Sequence, residues 1–250
     1  MQILLTISYD GTNYAGWQRQ ENAVAVQEKI EDALAQVLPH APWGAQRVTV
    51  RAASRTDAGV HALGQRASFF AENLRIPLAK LPMVLNGLLP QDVSVVKAEA
   101  VADDFNPQFH AKQKTYIYNF YNSPSPNPLL SRYSVYVPGK LDIPAMQKAA
   151  RTFVGEHDFA AFCATGSSAK TTVREIFNCF VVQKGDAIEM CVTGSGFLYN
   201  MVRIIAGTVL YVGMGKIAAD DVASIIYLRD RKKAGKTMPP QGLVLAEVRY

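Results

Sequence analysis

The sequence predicts an α+β fold made of two ferredoxin-like halves, each running strand, helix, strand, strand, helix, strand. Three observations predict it. The chain has 250 residues, 49% hydrophobic and 19% charged, which supplies a sizeable core and excludes a disordered chain. Short stretches of period-2 apolar alternation are interleaved with stretches of helical period. Their order then repeats after residues 101–113. Residues 1–105 and 106–250 therefore read as an N-terminal and a C-terminal α/β subdomain.

In the first half, Gln2–Ser8 alternates Ile3, Leu5 and Ile7 against Leu4 and Thr6, which predicts a strand. Val26–Leu38 is a predicted helix, because Ile30, Leu34, Val37 and Leu38 recur at i, i+4, i+7 and i+8. Pro39 and Pro42 are expected to stop it. Strands are expected at Arg47–Ala53 and Arg66–Phe70, flanking the turn-rich Ser54–Gly64. A short helix at Pro77–Gly87 and a strand at Ser94–Ala98 follow. In the second half, Lys114–Tyr121 reads as an aromatic strand, Ser123–Pro128 as a loop and Pro144–Val154 as a helix. Val173–Gln183 and Ile188–Thr193 make a hairpin about Lys184-Gly185-Asp186. Phe197–Val212 is a long apolar helix, Ala219–Leu228 another, and Leu243–Arg249 the closing strand.

Lys and Arg number 26 against 21 Asp and Glu, a net charge of +5 with a pI near 9.0. That excess suits a polyanionic partner and is also ordinary for a small enzyme. Cys163, Cys179 and Cys191 are odd in number and lack C-x-x-C spacing, against a disulfide framework or zinc ribbon. His40, His61, His110 and His157 stand far apart and form no metal-binding pattern, so no metal is expected. No basic segment precedes the apolar start, so no signal peptide is expected. Gly196–Gly215 is broken by Asn200 and Arg203, which argues against a membrane span, and a cytoplasmic protein is expected.

Gly11-Thr-Asn-Tyr-Ala-Gly16 has the gap of a phosphate-binding loop, but Trp17 and Gln18 stand where Lys and Ser or Thr are needed. It reads as a strand-to-loop turn. Gly213-Met-Gly215-Lys216 reads as the end of the preceding helix. Arg55-Thr-Asp57-Ala-Gly59-Val-His61 is either an Asx turn or a rigid loop projecting a carboxylate into a cleft. One acid without a partner acid argues against paired-carboxylate glycosidase chemistry. Asn200, Arg203 and Gly207 share one face of their apolar helix. Arg203 must meet a carboxylate or phosphate, Asp57 and RNA being the candidates, unless its stem snorkels to the surface. Tyr116, Tyr118 and Phe120 share one strand face, as core or as a platform for bases. Arg229, Arg231, Lys232, Lys233 and Lys236 cluster before Pro239-Pro240, either to bind phosphates or as a solvated loop.

Taken together, these segments resemble the bacterial tRNA pseudouridine synthase A family. The resemblance is carried by Tyr9-Asp-Gly-Thr-Asn-Tyr-Ala-Gly-Trp-Gln-Arg-Gln20, Arg55-Thr-Asp-Ala-Gly-Val-His-Ala62, Lys114-Thr-Tyr116-Ile-Tyr118, Phe197-Leu-Tyr-Asn-Met-Val-Arg203 and Pro239-Pro-Gln-Gly-Leu-Val-Leu245. Ser54 departs from a common Gly, and Ala25 from a Thr or Ser that would cap the first helix. The resemblance implies RRM-like halves in one continuous, mainly antiparallel sheet, with helices on one side and an active-site cleft on the other. It implies isomerisation of uridine to pseudouridine at positions 38, 39 and 40 of the tRNA anticodon stem-loop, by a homodimer without metal or organic cofactor.

The resemblance further assigns Asp57 as the catalytic carboxylate and Arg203 as the residue that holds it ionised and oriented. Arg55 would occupy the space left by the flipped nucleotide. Tyr116 would stack on the uracil and is a candidate base, and Leu245 would wall the pocket. Attack of Asp57 on C1′, addition to C6 and removal of a 2′ proton all need the same ionised carboxylate. The alternative from another class is a non-catalytic RNA-binding module of duplicated RRM-like domains. It explains the charge and the aromatic strand, and gives no reason for Asp57 and Arg203.

Overall fold

The computed structural model describes residues 1–38, 48–72 and 74–250. In chain order the elements are β1 (Gln2–Tyr9), α1 (Val26–Val37), β2 (Arg51–Ala52), β3 (His61–Phe70), α2 (Leu81–Asn86) and β4 (Val93–Val101). Then come β5 (Gln113–Asn122), β6 (Val135–Val137), α3 (Ile143–Arg151), β7 (Gly155–Asp158), β8 (Val173–Lys184) and β9 (Ala187–Gly194). The chain closes with α4 (Met201–Gly213), α5 (Asp221–Leu228) and β10 (Leu243–Arg249). Two units form, Met1–Lys112 with Leu245–Tyr250, and Gln113–Val244. Both are α+β with mainly antiparallel pairing, the class that the periodicity predicts.

In the first unit β1 is central, antiparallel to β3 and to β4. Ile3, Leu5 and Ile7 are fully buried; on the other face Leu4 is buried too, while Thr6 and Ser8 are half-buried. The alternation expected of a strand is thus seen only in its second half, from Leu5 onward. The far edge of β3 is shared. β2 pairs with it at Ala67 and Ser68, and β10 also lies beside β3. Gly64 allows that approach, since a Cβ there would stand 2.6 Å from the Ala246 carbonyl oxygen. The expected strand start Arg47 lies outside the described residues, and the strand is reduced to Arg51–Ala52. Pro39 and Pro42, expected to stop α1, also lie outside them, and α1 ends at Val37. The helix expected at Pro77–Gly87 divides into a 3₁₀ turn, Leu78–Lys80, and α2, which carries Pro82 in its first turn.

In the second unit β5 and β8 flank β9, and β7 pairs with the outer side of β8. Tyr116, Tyr118 and Phe120 stand opposite Val192, Met190 and Ile188, and all six are buried. The expected hairpin forms, with Gly185 at φ +60 in its turn. β6 and β7 had no strong period-2 signal, being only three and four residues long. The apolar helix begins at Met201 and not at Phe197, because Asn200 adopts the left-handed region at φ 59. It ends as expected at Gly213, with Gly215 at φ +70 and the Lys216 amide returning to the Tyr211 carbonyl at 2.9 Å. No helix among the described residues is long and apolar enough to cross a membrane.

Candidate active site

The segment Ser54–Val60, between β2 and β3, carries Arg55 and Asp57. It is gripped by the residues that follow β1. The Trp17 amide donates to the Thr56 carbonyl at 3.1 Å and the Gly59 amide to the Tyr14 carbonyl at 3.2 Å. The Tyr9 and Thr56 hydroxyls share a buried hydrogen bond of 2.7 Å. A Cβ on Gly11 would stand 2.0 Å from the Val60 carbonyl oxygen, and one on Gly16, at φ +97, 2.6 Å from that of Thr56. Both glycines are therefore required by close backbone approach. The loop turns on itself through Val60 N–H to Asp57 C=O at 3.1 Å. Its backbone is fixed at Thr56, Asp57, Gly59 and Val60, while Asp57 is half-buried and Arg55 exposed.

The same N-terminal segment also starts α1. Ala25 offers no side-chain cap, and the Gly16 and Trp17 carbonyls instead accept from the Val26 and Gln27 amides at 3.2 and 3.0 Å. Asp92 holds the other end of the segment. Its carbonyl accepts from the Asp10 amide at 2.9 Å, and its carboxylate accepts from the Tyr14 hydroxyl. Burial and that bond push the Tyr14 phenol above its ordinary range.

In the second unit the Tyr116 ring is buried and meets Phe197 edge to face at 5.2 Å. Tyr118 donates its hydroxyl to the Pro239 carbonyl at 2.7 Å, which braces the Pro239–Gly242 segment against β5. Lys114 lies on the same strand face as Tyr116. Burial, aided by repulsion from Arg174, lowers its ammonium to about 8. Arg203 is half-buried and held at two points: Nε donates to the Met238 carbonyl at 2.7 Å and Nη1 to Asn200 Oδ1 at 2.6 Å. The Met238 amide returns to the Arg203 carbonyl at 3.2 Å.

The basic loop after α5 is docked tightly on α4. A Cβ on Gly207 would stand 1.9 Å from the Lys236 carbonyl oxygen, and one on Gly235 would stand 2.3 Å from Gly207. The Gly235 amide donates to Thr208 Oγ1 at 2.8 Å. Arg231 donates to the Gly235 carbonyl and to Thr237, and Arg229 pairs with Asp158 at 3.2 Å. Arg229 is exposed despite that pair, and Lys232, Lys233 and Lys236 are exposed as well.

Arg55 and Asp57 thus share one loop of the first unit, and Leu245 is fully buried in that unit. Tyr116 and Arg203 belong to the second unit. A snorkelling Arg203 does not describe the structure, since its guanidinium is anchored within its own unit by two neutral oxygens. Sequence reasoning missed the Tyr9–Thr56 bond, the pairing of Tyr116 with Phe197 and the Asn200 acceptor. It also left Gly11 and Gly16 as a plain turn. Their spacing was visible, but their partners, Val60 and Thr56, lie 49 and 40 residues away. No group of three His, Cys, Asp or Glu side chains that could hold a metal occurs among the described residues.

The sequence matches the family model of tRNA pseudouridine synthase over residues 5–110 and 149–250. It is 47% identical over 248 residues to tRNA pseudouridine synthase A of Caldicellulosiruptor saccharolyticus, which covers 99% of each chain. It is 48% identical to that of Ruminiclostridium cellulolyticum, over 100% of this chain and 99% of the relative. The chain belongs to the tRNA pseudouridine synthase family.

As a member of that family it is an isomerase that converts uridine to pseudouridine in tRNA. A non-catalytic RNA-binding module is not favoured. The matched segments contain Arg55, Asp57, Arg203 and Leu245, whereas Tyr116 falls between them. The reaction breaks the N1–C1′ and C5–H bonds and forms C5–C1′ and N1–H in the same nucleotide, one proton leaving C5 and one joining N1, so atoms and electrons balance without an oxidant or reductant. What it asks of a protein is a fixed carboxylate, an extruded base and a surface to hold that base. The structure shows Asp57 on a loop whose backbone is held by hydrogen bonds, and a buried Tyr116 ring edge to face with Phe197.

Proposed function

We propose that the substrate uridines are those at positions 38, 39 and 40 of the tRNA anticodon stem-loop, and that the enzyme acts as a homodimer in the cytoplasm. Asp57 is the catalytic carboxylate. Arg203 keeps it ionised and oriented, Arg55 occupies the space left by the extruded nucleotide, Tyr116 stacks on the uracil and Leu245 walls the pocket. The observation that carries this reading is the near-complete coverage by relatives at 47–48% identity, together with Asp57 on a loop whose backbone is clamped at Thr56, Gly59 and Val60. Such clamping suits a carboxylate that must meet one atom of an extruded nucleotide with little freedom. No bound metal or organic cofactor is part of this reading.

The test uses purified protein and unmodified tRNA transcripts bearing uridine at each of the three positions, with pseudouridine mapped by chemical adduct formation. Modification at 38, 39 and 40, and nowhere else in the transcript, is expected. Modification confined to another arm of the tRNA overturns the assignment of position. Sedimentation at the working concentration reads the oligomeric state, and a monomer that retains full turnover overturns the dimer.

A further inference from the structure

We propose that Asn200 is a positioning residue for the isomerisation, fixing the plane of the Arg203 guanidinium; this rests on the reading of Arg203 as the partner of Asp57. Three observations meet at this residue. Asn200 is one of two non-glycine residues at positive φ among the described residues, with φ 59 and ψ 9. Such a conformation costs a non-glycine residue free energy and persists where the surroundings impose it. It also stands immediately before α4, where an asparagine side chain ordinarily accepts from the second or third helical amide. Here it makes no capping bond. Its Oδ1 accepts instead from Arg203 Nη1 at 2.6 Å.

The consequence is geometric. A guanidinium is a planar fork of five donors, and two anchored nitrogens define that plane. Met238 C=O takes Nε at 2.7 Å and Asn200 Oδ1 takes Nη1, so the group cannot rotate about its Cδ–Nε axis without losing a bond. Both anchors are neutral acceptors. They orient the cation without neutralising it. The carbonyl anchor is itself rigid, because the loop before Met238 is docked on α4 through Gly207 and Gly235. Asn200 therefore acts through Arg203 and touches no reacting atom.

Asn200→Gly separates the side chain from the backbone, because glycine takes φ 59 without penalty. Single-turnover rates, tRNA Kd and Tm are measured for this variant in the parent and in an Arg203→Lys background, with rates scaled to the folded fraction. Lysine keeps the charge but lacks the fork that Asn200 orients. We expect Tm within about 2–4 °C of the parent, Kd within about twofold, and a rate loss of about 10- to 100-fold. In the Arg203→Lys background the same change is expected to cost less than about twofold. A parent-background rate within twofold overturns the proposal, and so does an equal loss in both backgrounds, which a merely structural role would give. Asp57→Asn is run alongside. Turnover by Asp57→Asn overturns the underlying reading, whereas an inactive Asp57→Asn with a fully active Asn200→Gly overturns only the role of Asn200.

Discussion

The loop that carries Asp57 and the helix start that carries Arg203 are fixed by opposite means. Around Asp57 the restraints are mostly main chain to main chain, and glycines at 11 and 16 allow two backbones to touch. Around Arg203 the restraints reach the side chain itself, through Oδ1 of Asn200 and the Met238 carbonyl. An aspartate side chain has only two torsions, so fixing its backbone confines its oxygens to a few rotamer positions. A guanidinium sits at the end of a long stem with about 2 kcal/mol of rotamer entropy, so it must be held at its tip. The two regions should therefore fail differently when altered.

The largest effect is expected at Asp57. Asp57→Asn should fold, bind tRNA with near-parent affinity and form pseudouridine at below about 10⁻⁴ of the parent rate. Release of tritium from C5-labelled uridine in tRNA is the measurement, and turnover above that level removes Asp57 from the chemistry.

Next come the glycines, which sharpen the contrast between the regions. Gly11→Ala and Gly207→Ala each push a methyl group against a backbone carbonyl, at 2.0 and 1.9 Å. Each should cost about 1–3 kcal/mol in urea unfolding. In Gly11→Ala the loss of rate should come through the Asp57 loop. In Gly207→Ala it should come through the shifted Met238 carbonyl and vanish in an Arg203→Lys background. Equal losses of rate from Gly207→Ala in both backgrounds would show that the docked loop serves something other than Arg203.

Lys114 gives a pH test confined to the second unit. Its ammonium titrates at about 8 in the folded protein because of burial and Arg174, against about 10.4 in an unfolded chain. Between those values the unfolded chain binds more protons, so stability rises with pH. The destabilisation is fully present below pH 8 and fades towards pH 10.4. Lys114→Met should flatten this slope and raise stability at pH 7 by on the order of 1–3 kcal/mol. Urea unfolding at several pH values decides it, and an unchanged slope assigns the dependence to other groups.

The smallest effects are expected from two buried hydroxyls. Tyr9→Phe and Tyr118→Phe each remove one hydrogen bond, to Thr56 and to the Pro239 carbonyl, for about 0.5–1.5 kcal/mol. Tyr9→Phe should also slow turnover, since Thr56 adjoins Asp57, while Tyr118→Phe should change stability alone. A slowed Tyr118→Phe with a normal Tyr9→Phe would reverse the ranking of the two braces.

Much of this molecule was legible in its sequence where the signal is local. The alternation of Ile3, Leu5 and Ile7, and the helical recurrence of Ile30 and Leu34, located β1 and α1 because burial on one face enforces a period. The end of α4 was legible from Gly213 and Gly215, since positive φ favours glycine. Its start was not, because an apolar run continues through Phe197 and Leu198 while the backbone turns at Asn200. A periodicity cannot register a single left-handed residue that its surroundings impose.

By itself the sequence determined the α+β class, the loop that carries Arg55 and Asp57, and the family to which the chain belongs. Each of these is written in short windows, where pattern and motif reflect burial and turn geometry directly. Only the tertiary structure decided that Gly11 and Gly16 serve the Asp57 loop and that most of β10 belongs with the first unit. It also decided that Arg231 is tied into its own loop while Lys232 and Lys233 face solvent. The reason is that a close approach or a hydrogen bond has two ends. A sequence window shows one end, and the fold brings the other from tens of residues away.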